Sequence, residues 1–114
     1  AHPEGYELEP NKTKGAKIEY DQKKAFEGAD FIYTKNWSSY KDYGKVACKD
    51  SSWTITADKM ALTDRAKFMH CLPVRRNVVV ADEVLDSDTS IVIEQANNRT
   101  FSAQIVLKKI MENM

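Results

Sequence analysis

The residues best suited to chemistry lie together in the segment 68–77, which reads FMHCLPVRRN. An apolar, strand-like stretch ends there in an imidazole, His70, and a thiol, Cys71, and two arginines follow the next proline. Open α/β sheets hold their ligands outside the carboxyl ends of their strands. The segment is therefore predicted to form the edge of an active site.

The imidazole and the thiol suit different kinds of chemistry. A neutral imidazole at a strand end can donate a hydrogen bond to a carbonyl oxygen that gains charge, although a lone histidine is more often buried against backbone partners. Cys71 could be a small core residue, a covalent nucleophile or a polar contact in a pocket. Adjacent strand residues point to opposite faces, which disfavours a dyad of Cys71 with His70. Two cysteines and one well-placed histidine also lack zinc-ligand spacing, and no metal is predicted.

The residues after the thiol suit the binding of an anion. Pro73 removes a backbone donor and permits a cis bond to Leu72, although a trans bond is the more common form. Arg75 and Arg76 follow, and arginine is the planar, permanently charged partner of carboxylates. A solvated surface position is the alternative for either arginine.

The elements that must position these residues alternate along the chain. Strands are predicted at 17–20, 30–34, 67–71 and 91–93, and helices at 22–27, 56–62, 82–85 and 97–113. Asp21 is expected to cap the first helix and Gly28 to end it. Residues 1–14 and 35–52 are predicted loops, the first with a short helical turn. The alternation predicts an α/β fold, a three-layer Rossmann-like domain with a short, mostly parallel sheet flanked by helices.

Composition excludes several classes of partner. The 114 residues carry no net charge, so neither nucleic acid nor a membrane surface is expected as a partner. No apolar run is long enough to span a bilayer, and no signal peptide is recognisable. Cys48 and Cys71 are expected to stay reduced, which favours a cytoplasmic location. Because no Gly-x-Gly-x-x-Gly motif is present, a dinucleotide cofactor is not predicted.

The string His70-Cys71-Leu72-Pro73 resembles the signature of the ornithine carbamoyltransferase family. The longer run to Asn77, with the later string 97–99 (Asn-Asn-Arg), is similar to the N-acylornithine branch of that family. The resemblance implies that residues 1–114 are the acceptor-binding domain of a longer, two-domain, trimeric parent. The first strand of this domain and the whole carbamoyl-phosphate domain are then missing, and a start at Ala1 without a methionine fits a fragment.

The resemblance also implies roles for the residues of the signature. His70 faces the carbamoyl group, and the Leu72-Pro73 bond is cis, so that the Leu72 carbonyl accepts a hydrogen bond from the carbamoyl amine. Cys71 lies near the side chain of the acceptor. Arg75 binds the acceptor, and Arg76 is a weaker candidate for the same contact.

The last helix carries a further candidate, Arg99. With Asn97 or Asn98 as the N-cap, Arg99 falls in the first helical turn, where a cation opposes the helix dipole unless an anion lies nearby. The matching arginine of the family contacts carbamoyl phosphate. The apolar stripe of residues 97–114 could pack on this domain, but the resemblance implies that it packs on the missing one. In an isolated chain we therefore expect that stripe to be exposed or mispaired, for example in a swapped dimer.

A charge reversal distinguishes the chain from ordinary ornithine carbamoyltransferases. Those enzymes carry Asp-Thr-Trp where this chain has Lys35, Asn36 and Trp37, and their aspartate pairs with the α-ammonium of ornithine. A lysine repels an ammonium and attracts a carboxylate, which favours an acceptor whose α-nitrogen is acylated. Val79 stands where acetylornithine enzymes have a lysine, so succinyl is favoured over acetyl.

The predicted function is transfer of a carbamoyl group from carbamoyl phosphate to the δ-amine of N-succinyl-L-ornithine, in arginine biosynthesis and without a cofactor. N-acetylornithine or free ornithine is the alternative acceptor. A non-catalytic, transcarbamoylase-like binding module is the alternative function. The chain alone is expected to be inactive, because the Ser-Thr-Arg-Thr loop and the His-Pro-x-Gln segment of the family are not in this sequence.

Overall fold

A computed structural model describes residues 1–38 and 50–114 and confirms an α/β fold. Its helices are α1 (Gln22–Phe26), α2 (Ala57–Met60), α3 (Asp82–Leu85) and α4 (Val92–Glu112), and its strands are β1 (Phe31–Thr34) and β2 (Lys67–His70). Short 3-10 helices cover Pro10–Lys12 and Ser51–Trp53. Within the described residues, β1 and β2 form a two-stranded parallel sheet in which Phe31 lies opposite Lys67 and Thr34 lies opposite His70.

The connection into β1 follows from local sequence signals. The Asp21 carboxylate accepts hydrogen bonds from the backbone N–H groups of Lys23 and Lys24, at 3.0 and 3.3 Å, and so caps α1 as predicted. Gly28 has a φ of 68°, a left-handed conformation that glycine adopts without a steric penalty, and α1 ends just before it. The chain can therefore reverse and enter β1 within five residues of the helix.

The core lies on one face of the two strands. Ile32 and Phe68 alternate inward and pack with side chains from the helices and from the segment 55–66. The buried apolar residues of this cluster are Phe26, Ile32, Ile55, Ala66, Phe68, Val80, Val84, Leu85 and Val92. On the other face of β1, Phe31 and Tyr33 stay more than half exposed. The strand predicted at 30–34 is therefore buried on one face only.

Two predicted strands are wrong. Residues 17–20 run beside the N-terminal segment with one backbone bond, from His2 N–H to the Glu19 carbonyl, and this single contact does not form a ladder. The β-branched run 91–93 forms the start of α4 instead, with Ile91 as the N-cap and Val92 as the first helical residue. Val92 is buried in the core, and Ile93 is exposed to solvent. The residues just before it do pair: Ser90 forms a parallel bridge with Phe68 of β2.

The last helix starts five residues earlier than predicted. Because α4 begins at Val92, the N-cap predicted at Asn97 or Asn98 is wrong, and Arg99 is not in the first turn. Arg99 therefore lies too far along α4 to oppose the helix dipole, and the predicted placement is wrong. Every residue from 97 to 114 is exposed, including the predicted apolar stripe of Phe101, Ile105, Val106, Leu107, Ile110 and Met111.

The loop predicted at 35–52 is only partly covered by the structure. Residues 39–49 lie outside the described part of the chain, and Cys48 with them. The end of the predicted loop is ordered as the 3-10 helix Ser51–Trp53, which the Asp50 carboxylate caps by accepting from the Ser52 N–H at 2.8 Å.

Candidate functional site

The parallel register brings the two strand ends together. Thr34 and His70 are opposite each other at the carboxyl ends of β1 and β2. Lys35 and Cys71 are the next residues, so both segments leave the sheet at the same edge. This is the edge at which open α/β sheets hold ligands.

His70 is the buried polar centre of this edge. Its side chain is 1% exposed, and its Nδ1 accepts a hydrogen bond from the Leu72 backbone N–H at 2.9 Å. An Nδ1 that accepts carries no proton, so the neutral ring carries its hydrogen on Nε2. Burial lowers the pKa of His70 below its ordinary value, which keeps the ring neutral at pH 7. His70 is therefore held as a neutral donor at Nε2.

Three buried polar atoms at this edge have no hydrogen-bond partner among the described residues. They are Nε2 of His70, Oγ1 of Thr34 and Oδ1 of Asn36. Unpaired buried polar atoms are uncommon in folded proteins and call for a physical explanation. The set combines an N–H donor with two oxygens that can accept. A small planar group that bears both an acceptor and a donor would satisfy it.

The turn after His70 is tied to the end of β1. The Leu72-Pro73 peptide bond is cis, as the family resemblance implies, and Leu72 has a φ of 50°. The Asn36 side-chain amide donates to the Pro73 carbonyl at 3.0 Å, so the segment after β1 and the segment after β2 are joined directly. Cys71 is a free thiol and is exposed, whereas the neighbouring His70 is buried.

The two arginines have different surroundings. Arg76 forms ion pairs at 2.7 Å with both Asp82 and Asp86, and the hydrogen bonds in these pairs raise its pKa. The same contacts hold the pKa values of both carboxyl groups below their usual range. Arg75 is exposed, and its guanidinium has no hydrogen bond or ion pair in the part of the chain that the structure describes. Of these two arginines, only Arg75 therefore has a guanidinium without a partner among the described residues.

The remaining candidates differ in how close they come to this edge. Lys35 is exposed beside Asn36, which bonds to Pro73, so it lies at the edge with the signature segment. Arg99 lies in the exposed part of α4, and its Nε donates to the Ala96 carbonyl at 3.4 Å. No contact joins Arg99 to the other candidates within residues 1–38 and 50–114. Val79 is 1% exposed and so faces the interior.

Sequence reasoning missed Thr34 and Asn36 as site residues. Their signal was available in principle, because they flank Lys35 at the end of a strand whose parallel partner ends in His70. The two aspartates that hold Arg76 were missed as well. Their spacing of four residues, on one face of a helical turn, was the signal that could have found them.

The described residues contain no cluster of His, Cys, Asp or Glu able to hold a metal ion. Within the same ranges, no helix combines the length and the apolar character that crossing a lipid bilayer requires.

Comparisons with known proteins agree on one family. The model of "Aspartate/ornithine carbamoyltransferase, Asp/Orn binding domain" matches residues 3–110. The chain is 56% identical over 115 residues to the N-succinylornithine carbamoyltransferase of Bacteroides fragilis, which covers 99% of the chain and 36% of that relative. It is 39% identical over 88 residues to an N-acetylornithine carbamoyltransferase of Xylella fastidiosa, covering 72% of the chain and 26% of the relative.

A solved structure shares the fold as well as the sequence. A mutant N-acetyl-L-ornithine transcarbamylase, complexed with carbamyl phosphate and N-succinyl-L-norvaline, superposes with a TM-score of 0.72 and 31% sequence identity. The match covers 85% of this chain and 35% of that chain. The chain thus spans about a third of the length of the relatives that it matches.

Proposed function

Because the chain belongs to the aspartate/ornithine carbamoyltransferase family, through its Asp/Orn binding domain, we propose that residues 1–114 are the acceptor-binding domain of an N-acylornithine carbamoyltransferase. The parent enzyme transfers a carbamoyl group from carbamoyl phosphate to the δ-amine of N-succinyl-L-ornithine, a step of arginine biosynthesis. The observation that carries this proposal is the buried, neutral His70, whose Nε2–H has no partner among the described residues.

His70 acts on the carbamoyl carbonyl. The δ-amine attacks the carbonyl carbon, the carbon–oxygen bond to phosphate breaks, and the proton lost by the amine leaves with the phosphate. The carbonyl oxygen gains negative charge at the tetrahedral stage, and a donor fixed in a water-poor site stabilises it. The Nε2–H of His70 supplies that donor, and the Leu72 carbonyl accepts from the carbamoyl amine. Positioning and electrostatic stabilisation then provide the catalysis.

Cations at the sheet edge bind the acceptor. Lys35 directly precedes Asn36, whose side chain bonds to Pro73, and Arg75 lies two residues after that proline. Both are exposed, and both attract the α-carboxylate of an acceptor whose α-nitrogen is acylated and uncharged. The exposed Cys71 thiol lines the space for the aliphatic part of the acceptor.

Two observations favour succinyl as the acyl group. The relative at 56% identity is named for N-succinylornithine, whereas the acetylornithine relative is 39% identical over a shorter span. Val79 is apolar and buried at the position where acetylornithine enzymes carry a lysine. N-acetylornithine is the second candidate acceptor.

The rest of the parent enzyme completes the site. We propose that residues 97–114 pack on the carbamoyl-phosphate domain, which would cover the apolar side chains that are exposed here and bring Arg99 to carbamoyl phosphate. A homotrimer, as in the family, is the proposed assembly. The free, exposed Cys71 thiol is typical of a reducing compartment and supports a cytoplasmic location.

The test is a carbamoylation assay of the full-length protein with ornithine, N-acetyl-L-ornithine and N-succinyl-L-ornithine. Activity confined to the acylated acceptors, highest with succinyl, is the expected result. Robust use of free ornithine would contradict the assignment of Lys35, and binding without turnover of any acceptor would favour a non-catalytic module. The 114-residue chain assayed alone should show no transfer.

A further inference from the structure

Arg76 forms a two-sided ion-pair network that the proposed reaction does not require. Its Nη1 donates to Asp82 Oδ1 and to Asp86 Oδ2, and its Nη2 donates to Asp86 Oδ1, all at 2.7 Å. The contact with Asp86 is bidentate, which is the geometry that fixes a guanidinium most firmly. Three short, charge-assisted bonds therefore hold the turn at residues 75–80 against α3.

Asn77 adds a second tie between the same turn and the same helix. Its side-chain amide donates to Asp82 Oδ2 at 2.8 Å, and its side-chain oxygen accepts from the Asp82 backbone N–H at 3.0 Å. Its backbone has a φ of 57°, and its N–H donates to the Val80 carbonyl at 2.7 Å. The reciprocal bonds with Asp82 hold Asn77 in this left-handed conformation.

The far side of the turn is anchored to the core. The Thr54 hydroxyl donates to the Val78 carbonyl at 2.6 Å, and the Ile55 N–H donates to the Val79 carbonyl at 2.9 Å. Inside the turn, the N–H groups of Val78 and Val79 both donate to the Arg75 carbonyl, at 3.3 and 3.0 Å. The backbone of Arg75 is thus fixed from both sides, while its side chain remains exposed.

We propose that Arg76, Asp82 and Asp86 form a positioning clamp that aims Arg75 at the carboxylate of the acceptor, and that Arg76 does not itself bind the acceptor. The proposal rests on the proposed function, because it concerns the acceptor of that reaction. The two arginines have divided roles: the first binds the ligand, and the second fixes the backbone that carries the first. A small displacement of a positioned group is enough to lose much of its effect on a bound substrate.

Replacement of Asp86 separates the clamp from a direct contact between Arg76 and the acceptor. Asp86→Asn removes the bidentate partner of Arg76 and leaves both arginines in place. The clamp predicts a rise in the acceptor KM of about tenfold, equal to about 1.4 kcal/mol of binding, with kcat and the KM for carbamoyl phosphate little changed. A direct contact predicts the same or a lower acceptor KM, because the guanidinium would be released towards the ligand.

The chain offers matched controls for this experiment. Asp88→Asn makes the same chemical change two residues away, at an exposed carboxylate without an ion pair in the described residues, and should leave the acceptor KM unchanged. Arg76→Lys keeps the charge but cannot bridge both aspartates as a fork, and should raise the KM by an intermediate factor. The double variant Arg76→Ala, Asp86→Asn should be no worse than Arg76→Ala alone, because the two changes break one interaction.

The results separate failure of the clamp from failure of the proposed function. If the wild-type protein carbamoylates an N-acylornithine and Asp86→Asn matches Asp88→Asn in acceptor KM, the clamp is refuted and the function stands. If the wild-type protein carbamoylates none of the acceptors, the proposed function is refuted and the clamp with it. If Asp86→Asn does not fold, Asp82→Asn decides, because it also loosens Arg76 and leaves both arginines in place. An unchanged or lowered acceptor KM overturns the clamp, and a raised KM with unchanged kcat supports it.

Discussion

The neutral His70 donor leads to a prediction about two variants, His70→Asn and His70→Gln: the variant with the higher kcat should have the lower stability. His70→Asn places its side-chain oxygen near the present position of Nδ1, where it can still accept from the Leu72 N–H. It has no group at the position of Nε2. His70→Gln is one methylene longer, so its amide can present an N–H near Nε2 but leaves the Leu72 N–H without its acceptor.

The magnitudes follow from what each variant leaves unpaired. Loss of one donor to a developing oxyanion lowers kcat by about 10² to 10³, so His70→Asn should fall in that range and His70→Gln should lose less. A buried N–H left without an acceptor costs about 1–3 kcal/mol, so His70→Gln should be the less stable variant. The more active variant should therefore be the less stable one.

The assay measures kcat for N-succinyl-L-ornithine and the midpoint of urea unfolding in the full-length protein. His70→Ala, which loses both hydrogen-bonding positions, is the reference for each scale. A kcat of His70→Asn within about threefold of the wild type would refute the role of Nε2 as the oxyanion donor. Equal stability of the Asn and Gln variants would refute the tautomer argument based on the Leu72 N–H.

Four further predictions concern other parts of the chain. Lys35→Asp should raise the acceptor KM at least about tenfold, equivalent to about 1.4 kcal/mol, because an aspartate repels the acceptor's carboxylate. Lys67 is exposed at the other end of β2, so Lys67→Asp is the matched control. An equal rise in KM for both variants would exclude a specific role of Lys35. Because burial lowers the pKa of His70, the histidine of the unfolded chain is protonated at a higher pH than that of the folded chain. Stability should therefore fall as the pH drops below about 6.5. A ring pKa above that value in the folded protein, measured by NMR titration, would contradict the prediction. The 114-residue chain should bind apolar dyes or self-associate, because the apolar side chains of α4 are exposed. Ile105→Ser together with Ile110→Ser should reduce both dye binding and self-association. A wild-type chain that is monomeric in light scattering and binds no dye would count against an exposed apolar helix. Asp21→Ala should destabilise the domain by about 1 kcal/mol through loss of the α1 cap, as measured by urea unfolding, whereas Asp30→Ala should not.

Local chemistry made part of the fold predictable. Asp21, the run 22–27 and Gly28 form a complete helix signal, and the structure has the helix with its predicted cap and an end one residue earlier, at Phe26. The short helix Asp82–Leu85 matches its predicted bounds. The strands β1 and β2 differ from prediction by one residue each, because apolar runs bounded by polar residues leave little choice of position.

The errors arose where tertiary contacts override local preference. The β-branched residues 91–93 favour a strand, but Val92 is buried in the core as the first residue of α4. The isolated Asn pair at 97 and 98 is typical of a cap, yet it lies within a helix that starts earlier. Residues 17–20 have a strand-like composition but no neighbouring strand in the described part of the chain.

The candidate site was only partly predictable for the same reason. The signature segment and Lys35 identified the edge, because motif and charge are local properties of the sequence. The hydrogen bond from Asn36 to Pro73 and the ion pairs of Arg76 join residues that are 37, 6 and 10 positions apart. Such pairings depend on the fold, so neighbouring arginines that look equivalent in sequence have different surroundings in the structure.

The most direct test of the central claim is a crystal structure of the full-length protein with carbamoyl phosphate and N-succinyl-L-norvaline, an acceptor analogue that lacks the δ-amine. We expect Nε2 of His70 within about 3.2 Å of the carbamoyl oxygen, Lys35 and Arg75 at the carboxylates of the analogue, and Arg76 still paired with Asp82 and Asp86. A carbamoyl group bound away from His70, or an analogue held by Arg76, would contradict it.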